Sequence, residues 1–156
     1  MTVYLVRHAV ALSRKAWKGD DDDLRPLTPK GQRQAVGLAD LLRDAPVRRV
    51  ESSPAVRCVD TVQPLAEKLG LPVETSDLLR EGASLDKAYE LVTKMARKKG
   101  DSVLCAHGDL VPEIIETVAR EGADTGVVRF AKGSIWKLEW GHGHFKSAAY
   151  LPPQSG

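Results

Sequence analysis

Near its start the chain reads Val3-Tyr4-Leu5-Val6-Arg7-His8-Ala9, an apolar, β-prone run that ends in an arginine and a histidine. A second apolar run, residues 102–108, ends in His107 and a glycine. Ligands of open α/β sheets bind outside the carboxyl ends of the strands. The pattern therefore predicts two buried strands that deliver Arg7, His8 and His107 to one site. Taken alone, each histidine could instead be a hydrogen-bonded residue at the edge of a sheet.

A third predicted strand, residues 48–52, ends between these two runs. Pro54 follows it and suits the first turn of a helix. Arg57 then lies near the start of that helix, where free N–H groups and the helix dipole favour an anion and a guanidinium matches phosphate oxygens. A lone arginine in a first helical turn is usually just solvated. Beside two other strand ends, Arg57 becomes a candidate phosphate ligand.

The rest of the chain alternates between predicted helices and strands. Apolar periodicity, capping residues and glycine stops predict helices at residues 29–43, 56–69, 85–99 and 110–120. A short strand is predicted at 71–75, and a closing hairpin at 133–140 and 144–148. Such alternation implies an α/β fold in three layers, with a mostly parallel sheet flanked by helices on both faces.

Composition narrows the class of protein. A chain of 156 residues that is 42% hydrophobic suits one domain, residues 1–156, with one core. A net charge of +2 gives no reason to expect a nucleic-acid or membrane partner. We find no spanning apolar stretch and no signal peptide, so we expect a cytoplasmic protein. Cys58 and Cys105 lack metal or redox spacing and are expected to be reduced thiols.

Three short motifs together resemble the histidine phosphatase superfamily, also called the phosphoglycerate mutase-like family. They are Arg7-His8-Ala9, the stretch Ser-Ser-Pro-Ala-Val-Arg-Cys-Val-Asp-Thr at residues 52–61, and Ala106-His107-Gly108. Each motif alone is weakly specific, but their order and spacing are strong together, and the match covers essentially the whole chain. The resemblance implies a single domain of histidine phosphatase type.

Further stretches are similar to compact members of that family. They resemble SixA-type phosphohistidine phosphatases and, more closely, the histidine phosphatase domain fused behind a Nudix domain in actinobacterial MutT-like proteins. The stretches that carry this similarity are residues 18–21, 25–28, 57–58, 61–66 and 132–136. The Nudix box itself is absent from these 156 residues. The similarity implies a phosphorylated small-molecule substrate of nucleotide type and a functional link to a Nudix protein.

The resemblance also implies a role for each motif residue. Uncatalysed hydrolysis of a phosphomonoester is very slow, so the site must hold the phosphoryl group in line and neutralise its oxygens. Arg7, Arg57 and His107 would do this, while His8 attacks phosphorus as a neutral imidazole. Glu81 falls where the family carries its acid/base carboxylate, although it could be a plain surface residue. This chemistry requires no metal and no cofactor.

Other residues bear on the substrate. After His8 the chain lacks the Gly-Glu-Ser opening of the larger mutases, so mutase activity is not expected. Candidate contacts to a second phosphate or a base are Ser13, Arg14, Lys18 and Lys132, which could equally be solvated. The acidic run at residues 20–23 is expected to be an exposed loop without a catalytic role.

Two alternative functions stay open. One is a SixA-like phosphatase for phosphohistidine in proteins. The other is a module that binds phosphate or metal without catalysis. His142 and His144 lie two residues apart, and on a strand that spacing can bind zinc, whereas a hairpin turn explains the same residues.

Overall fold

A single six-stranded sheet organises the computed structural model of the protein, which describes residues 1–155. Its strands are β1 (Thr2–Arg7), β2 (Val47–Ser52), β3 (Val73–Thr75), β4 (Asp101–Ala106), β5 (Ile135–Gly141) and β6 (His144–Leu151). Their order across the sheet is β3-β2-β4-β1-β5-β6. The pairs from β3 to β1 are parallel, and β5 and β6 add an antiparallel hairpin at the other edge. The predicted mostly parallel sheet is confirmed.

Four α-helices connect and cover the strands: α1 (Pro29–Leu42), α2 (Val56–Leu69), α3 (Leu85–Arg97) and α4 (Leu110–Arg120). The hydroxyl of Thr28 accepts a hydrogen bond from the backbone N–H of Gly31 and caps α1, and Pro29 occupies its first turn. Gly70, with φ 68°, ends α2 in the left-handed conformation that glycine adopts without strain.

Several predicted boundaries differ from the structure: for example, α1 ends at Leu42 and not at residue 43, and β5 begins at Ile135 and not at residue 133. The strand predicted at 71–75 begins only at Val73, because the N–H of Leu71 donates to Ala66 and so closes the end of α2. Helix α3 ends two residues before the predicted residue 99, since Lys98 is already extended. The last strand runs on to Leu151 through its pairing with β5.

The hydrophobic core is divided by the sheet into two layers. Strand β1 is buried on both faces: Val3 and Leu5 contact the layer under α3 and α4, and Tyr4 and Val6 contact the layer under α1 and α2. Such two-sided burial is typical of parallel strands covered by helices. No helix within residues 1–155 is long and apolar enough to cross a membrane.

Candidate active site

Two histidines leave the sheet side by side. Strands β1 and β4 pair in parallel with Arg7 opposite Ala106, so the next residues, His8 and His107, emerge together at the carboxyl edge. The N–H of His8 donates to the carbonyl of Ala106 at 3.1 Å and continues the ladder beyond the strand. The two ring centroids are 5.6 Å apart, with the rings inclined at 67°. The structure thus brings both predicted histidines into one place.

The protein holds His8 in one tautomer. Its Nδ1 lies 2.8 Å from the carbonyl oxygen of Ala9. A carbonyl oxygen can only accept a hydrogen bond, so Nδ1 carries the proton and Nε2 keeps its lone pair. Burial lowers the pKa of His8 to about 3, against the opposing effect of the Ala9 hydrogen bond and with help from the electrostatic effects of His107, Arg57 and Arg7. At neutral pH the ring is therefore uncharged and can act as a nucleophile.

Arg57 links His107 to two carboxylates. Its side chain is buried, and its Nη2 lies 3.2 Å from Oδ2 of Asp22, 3.5 Å from Oε2 of Glu81 and 3.4 Å from Nδ1 of His107. A guanidinium only donates, so Nδ1 of His107 is the acceptor. The opposite nitrogen, Nε2, then donates to the hydroxyl of Ser53 at 2.8 Å. This network fixes the His107 ring beside His8.

Arg7 ends strand β1, and its guanidinium lies against Gly108, the residue after His107. Its Nη1 donates to the carbonyl of Phe130 at 2.6 Å. A Cβ atom on Gly108 would lie 2.5 Å from Nη2 of Arg7, so no larger residue fits at Gly108 unless Arg7 moves. The structure therefore places the Arg7 charge next to His8 but packs its guanidinium against the backbone of Gly108.

Most of the predicted site residues meet at one cleft, whose volume is about 420 Å³. Seven predicted site residues line it: His8, Ser13, Arg14, Arg57, Glu81, His107 and Lys132. Lys18 is exposed and is not part of the cleft wall, and Arg7, predicted as a phosphate ligand, does not line the cleft either. A larger groove of about 660 Å³ lies beside β6, but the predicted site residues are all elsewhere. The side chains that line the smaller cleft, and not its volume, therefore make it the candidate site.

Glu81 stands at the mouth of the cleft. Nη2 of Arg14 donates to both of its carboxylate oxygens, at 3.0 and 3.3 Å. The next residue, Gly82, has φ 80°, and its N–H donates to the Asp109 carboxylate at 2.8 Å, which holds the turn in place. Arg14, expected to contact a second phosphate, is thus engaged by Glu81 in this structure.

Asp22 and Arg25 are site residues that the sequence analysis missed. The run at residues 20–23 was expected to be an exposed loop, but residues Asp22–Leu24 form a short 3₁₀ turn, from which Asp22 pairs with arginines of the cleft wall. The Asp22 carboxylate contacts Nε of Arg25 at 3.0 Å as well as Arg57. Burial raises the pKa of Asp22, but the Arg25 hydrogen bond and the charges of Arg57, Arg25 and Arg14 outweigh it and lower the pKa. The expectation of a plain exposed loop is wrong for Asp22, and the i, i+3 spacing to Arg25 was the available signal.

The two cysteines belong to the hydrophobic core, and the second histidine pair, His142 and His144, lies where β5 turns into β6. Cys58 and Cys105 are free buried thiols, as expected, and Sγ of Cys58 lies 3.5 Å from Nε2 of His107. His142 and Gly143 form the two-residue turn between β5 and β6, with φ of 55° and 82°. Positive φ at both positions is typical of a tight hairpin turn, which is the simpler explanation of that histidine pair.

Comparison with known proteins agrees with this geometry. Residues 3–86 match the family model of the histidine phosphatase superfamily, branch 1. An 8-oxo-(d)GTP phosphatase of Mycolicibacterium smegmatis is 33% identical over 156 aligned residues, which cover 97% of this chain and 48% of that protein. The chain thus spans about half the length of this relative.

Two solved structures share the fold. The protein histidine phosphatase SixA complexed with tungstate superposes with a TM-score of 0.74 at 20% identity, covering 99% of this chain and 97% of that one. A SixA protein of Agrobacterium tumefaciens superposes with a TM-score of 0.74 at 23% identity, covering 97% of both chains. The paired histidines, the buried arginine and these matches lead to one conclusion: the chain belongs to the histidine phosphatase superfamily.

Proposed function

We propose that this chain is a phosphatase that hydrolyses a phosphomonoester or phosphoanhydride through a phosphohistidine on His8. The observation that carries the proposal is the state of His8. Its Nδ1–H is tethered to the carbonyl of Ala9, and its pKa is lowered to about 3. The ring therefore presents an unprotonated Nε2 beside His107, and an unprotonated imidazole nitrogen is the form that can attack phosphorus.

In the first step the cleft holds the phosphoryl group against His8. Arg57 contacts its oxygens. His107 contacts them once its Nδ1 carries a proton, because in the structure Nδ1 accepts from Arg57 and Nε2 donates to Ser53. The charge of Arg7 adds to the positive potential. The lone pair of Nε2 of His8 forms a bond to phosphorus while the bond from phosphorus to the leaving oxygen breaks. The electron pair goes to that oxygen, which takes a proton from Glu81, so Glu81 enters this step as the carboxylic acid and leaves it as the carboxylate.

In the second step water releases the phosphate. Glu81, now a carboxylate, takes a proton from a water molecule whose oxygen attacks phosphorus. The bond between phosphorus and Nε2 breaks, its electron pair returns to His8, and inorganic phosphate leaves. The hydrogen bonds from Arg14 place the Glu81 carboxylate at the mouth of the cleft, where a leaving group and a water would pass.

The substrate we propose is a small phosphorylated molecule of nucleotide type. One support is the relative of 33% identity, which is named for a nucleotide substrate. Another is the cleft itself, whose volume of about 420 Å³ lies in the range of small-molecule sites and whose rim carries Ser13 and Lys132. A phosphoanhydride also supplies a better leaving group than an alkoxide, so it depends less on Glu81. A functional link to a Nudix protein and a cytoplasmic location remain predictions.

The experiment is a comparison of substrates with the purified chain. The panel contains nucleoside di- and triphosphates, sugar phosphates and a phosphohistidine protein, and phosphate release is measured for the natural chain and for His8→Ala. We expect nucleotides to be hydrolysed best, and only when His8 is present. Efficient cleavage of the phosphohistidine protein alone would replace the nucleotide assignment with the SixA-like one. Binding of phosphate without any turnover would leave a non-catalytic module.

A further inference from the structure

Asp22 joins three arginines at the mouth of the cleft. Its carboxylate lies 3.0 Å from Nε of Arg25, 3.2 Å from Nη2 of Arg57 and 3.6 Å from Nε of Arg14. Its backbone oxygen separately accepts a hydrogen bond from Nη1 of Arg57 at 3.0 Å. Asp22 thus meets Arg57 twice, once through a charged group and once through a neutral one.

These two contacts have different consequences. The backbone contact, the burial of Arg57 to 1% exposure and the Nδ1 atom of His107 all keep the guanidinium in place whatever side chain residue 22 carries. The carboxylate places its negative charge beside the same Nη2 atom that contacts His107. A phosphoryl group bound by Arg57 and His107 would feel that charge as repulsion, which offsets part of the attraction of the arginines.

We propose that Asp22 limits the affinity of the cleft for phosphate, acting through Arg57 and Arg25. The inference rests on the proposed function, because the anion concerned is the phosphoryl group of the substrate or the phosphate product. With the carboxylate present, the cleft binds phosphate weakly enough to release it after each turnover. Without it, the arginines keep their places and the product is held longer.

The test uses Asp22→Asn, which retains the size of the side chain and the backbone oxygen but removes the charge. Inorganic phosphate is titrated into the natural chain and the variant by calorimetry, and its inhibition constant is measured during hydrolysis. Because Asp22 is partly exposed, we expect phosphate to bind about threefold to fivefold more tightly. We also expect the KM of Asp22→Asn to be lower than that of the natural chain, and its kcat not to be higher. Asp22→Glu keeps the negative charge, so its affinity for phosphate should be as weak as that of the natural chain.

Asp23→Asn is the matched control. It also removes one negative charge, at the neighbouring residue. Asp23 forms an ion pair with Arg80 at 2.8 Å and, within the described chain, none with Arg57. Its phosphate affinity should equal that of the natural chain. An unchanged or weaker affinity in Asp22→Asn, an equal gain in Asp23→Asn, or no phosphate binding by either the natural chain or Asp22→Asn would each overturn the inference.

The calorimetric titration needs no turnover, so it separates the two proposals. If the natural chain binds phosphate but hydrolyses no substrate of the panel, the proposed function fails and the effect of Asp22 is still measured. If the natural chain is active and Asp22→Asn binds phosphate as the natural chain does, the inference about Asp22 fails alone.

Discussion

Nη2 of Arg57 lies 3.4 Å from Nδ1 of His107 and joins a helix start to a strand end that is fifty residues away in sequence. This contact makes His107 an acceptor towards Arg57 and a donor towards Ser53. It also places a permanent positive charge next to the neutral ring of His8. The pair therefore organises the site at which we expect the phosphoryl group to bind.

Replacing His8 with alanine should abolish turnover and leave the fold intact, because the nucleophilic nitrogen is lost from the end of a strand whose pairing is made by backbone groups. Rapid quench of the natural chain with radiolabelled substrate should trap a phosphoenzyme that is labile in acid and stable in base. His142→Ala, in the hairpin turn, serves as the control and should keep full activity. Substantial activity in His8→Ala would rule out the mechanism.

Stability should fall as the pH drops from about 6.5 towards 3, because burial lowers the pKa of His8 to about 3. In that window the unfolded chain binds a proton at this residue and the folded chain does not, so the free energy of unfolding decreases with decreasing pH. The slope contributed by His8 is at most 2.303RT, about 1.4 kcal/mol per pH unit. Urea denaturation at several pH values should show a shallower dependence for His8→Gln than for the natural chain. Equal slopes would mean that His8 titrates normally.

Gly108→Ala should impair the site more than the fold. The added Cβ would lie 2.5 Å from Nη2 of Arg7, whose Nη1 is tied to the carbonyl of Phe130. Overpacking of this kind costs about 1–3 kcal/mol of stability. The displaced charge should also reduce kcat/KM at least about tenfold. Steady-state kinetics and thermal denaturation measure the two effects, and unchanged kinetics would show that Arg7 does not act on His8.

Lys132→Ala should raise KM more than it lowers kcat. Lys132 lines the cleft, so it can contact a part of the substrate beyond the reacting phosphorus, and such partly exposed contacts contribute up to about 1 kcal/mol. Lys18→Ala is the matched control, since Lys18 is exposed and lies outside the cleft wall. Steady-state kinetics with a nucleotide should show a several-fold larger KM change for Lys132. Equal effects of the two variants would contradict a specific role for Lys132.

Much of this protein could be predicted from its sequence because the deciding signals are local. Apolar runs such as residues 3–6 and 102–106 are typical of buried strands. Thr28 marks a helix start because its side chain can cap the first turn, and Gly70 marks a helix end because glycine adopts positive φ without strain. The ends of parallel strands meet at one edge of a sheet. The sequence alone therefore predicts that His8 and His107 lie close together.

Only the tertiary structure decided how the charges pair across the cleft. Arg14 meets Glu81, and Asp22 meets Arg57, over separations of 67 and 35 residues, and no periodicity or motif encodes such long-range contacts. The same holds for Arg7, whose guanidinium packs against Gly108 because the two strand ends are adjacent in space. Strand and helix positions follow from short stretches of sequence, whereas the electrostatics of the site depend on distances that only the folded chain sets.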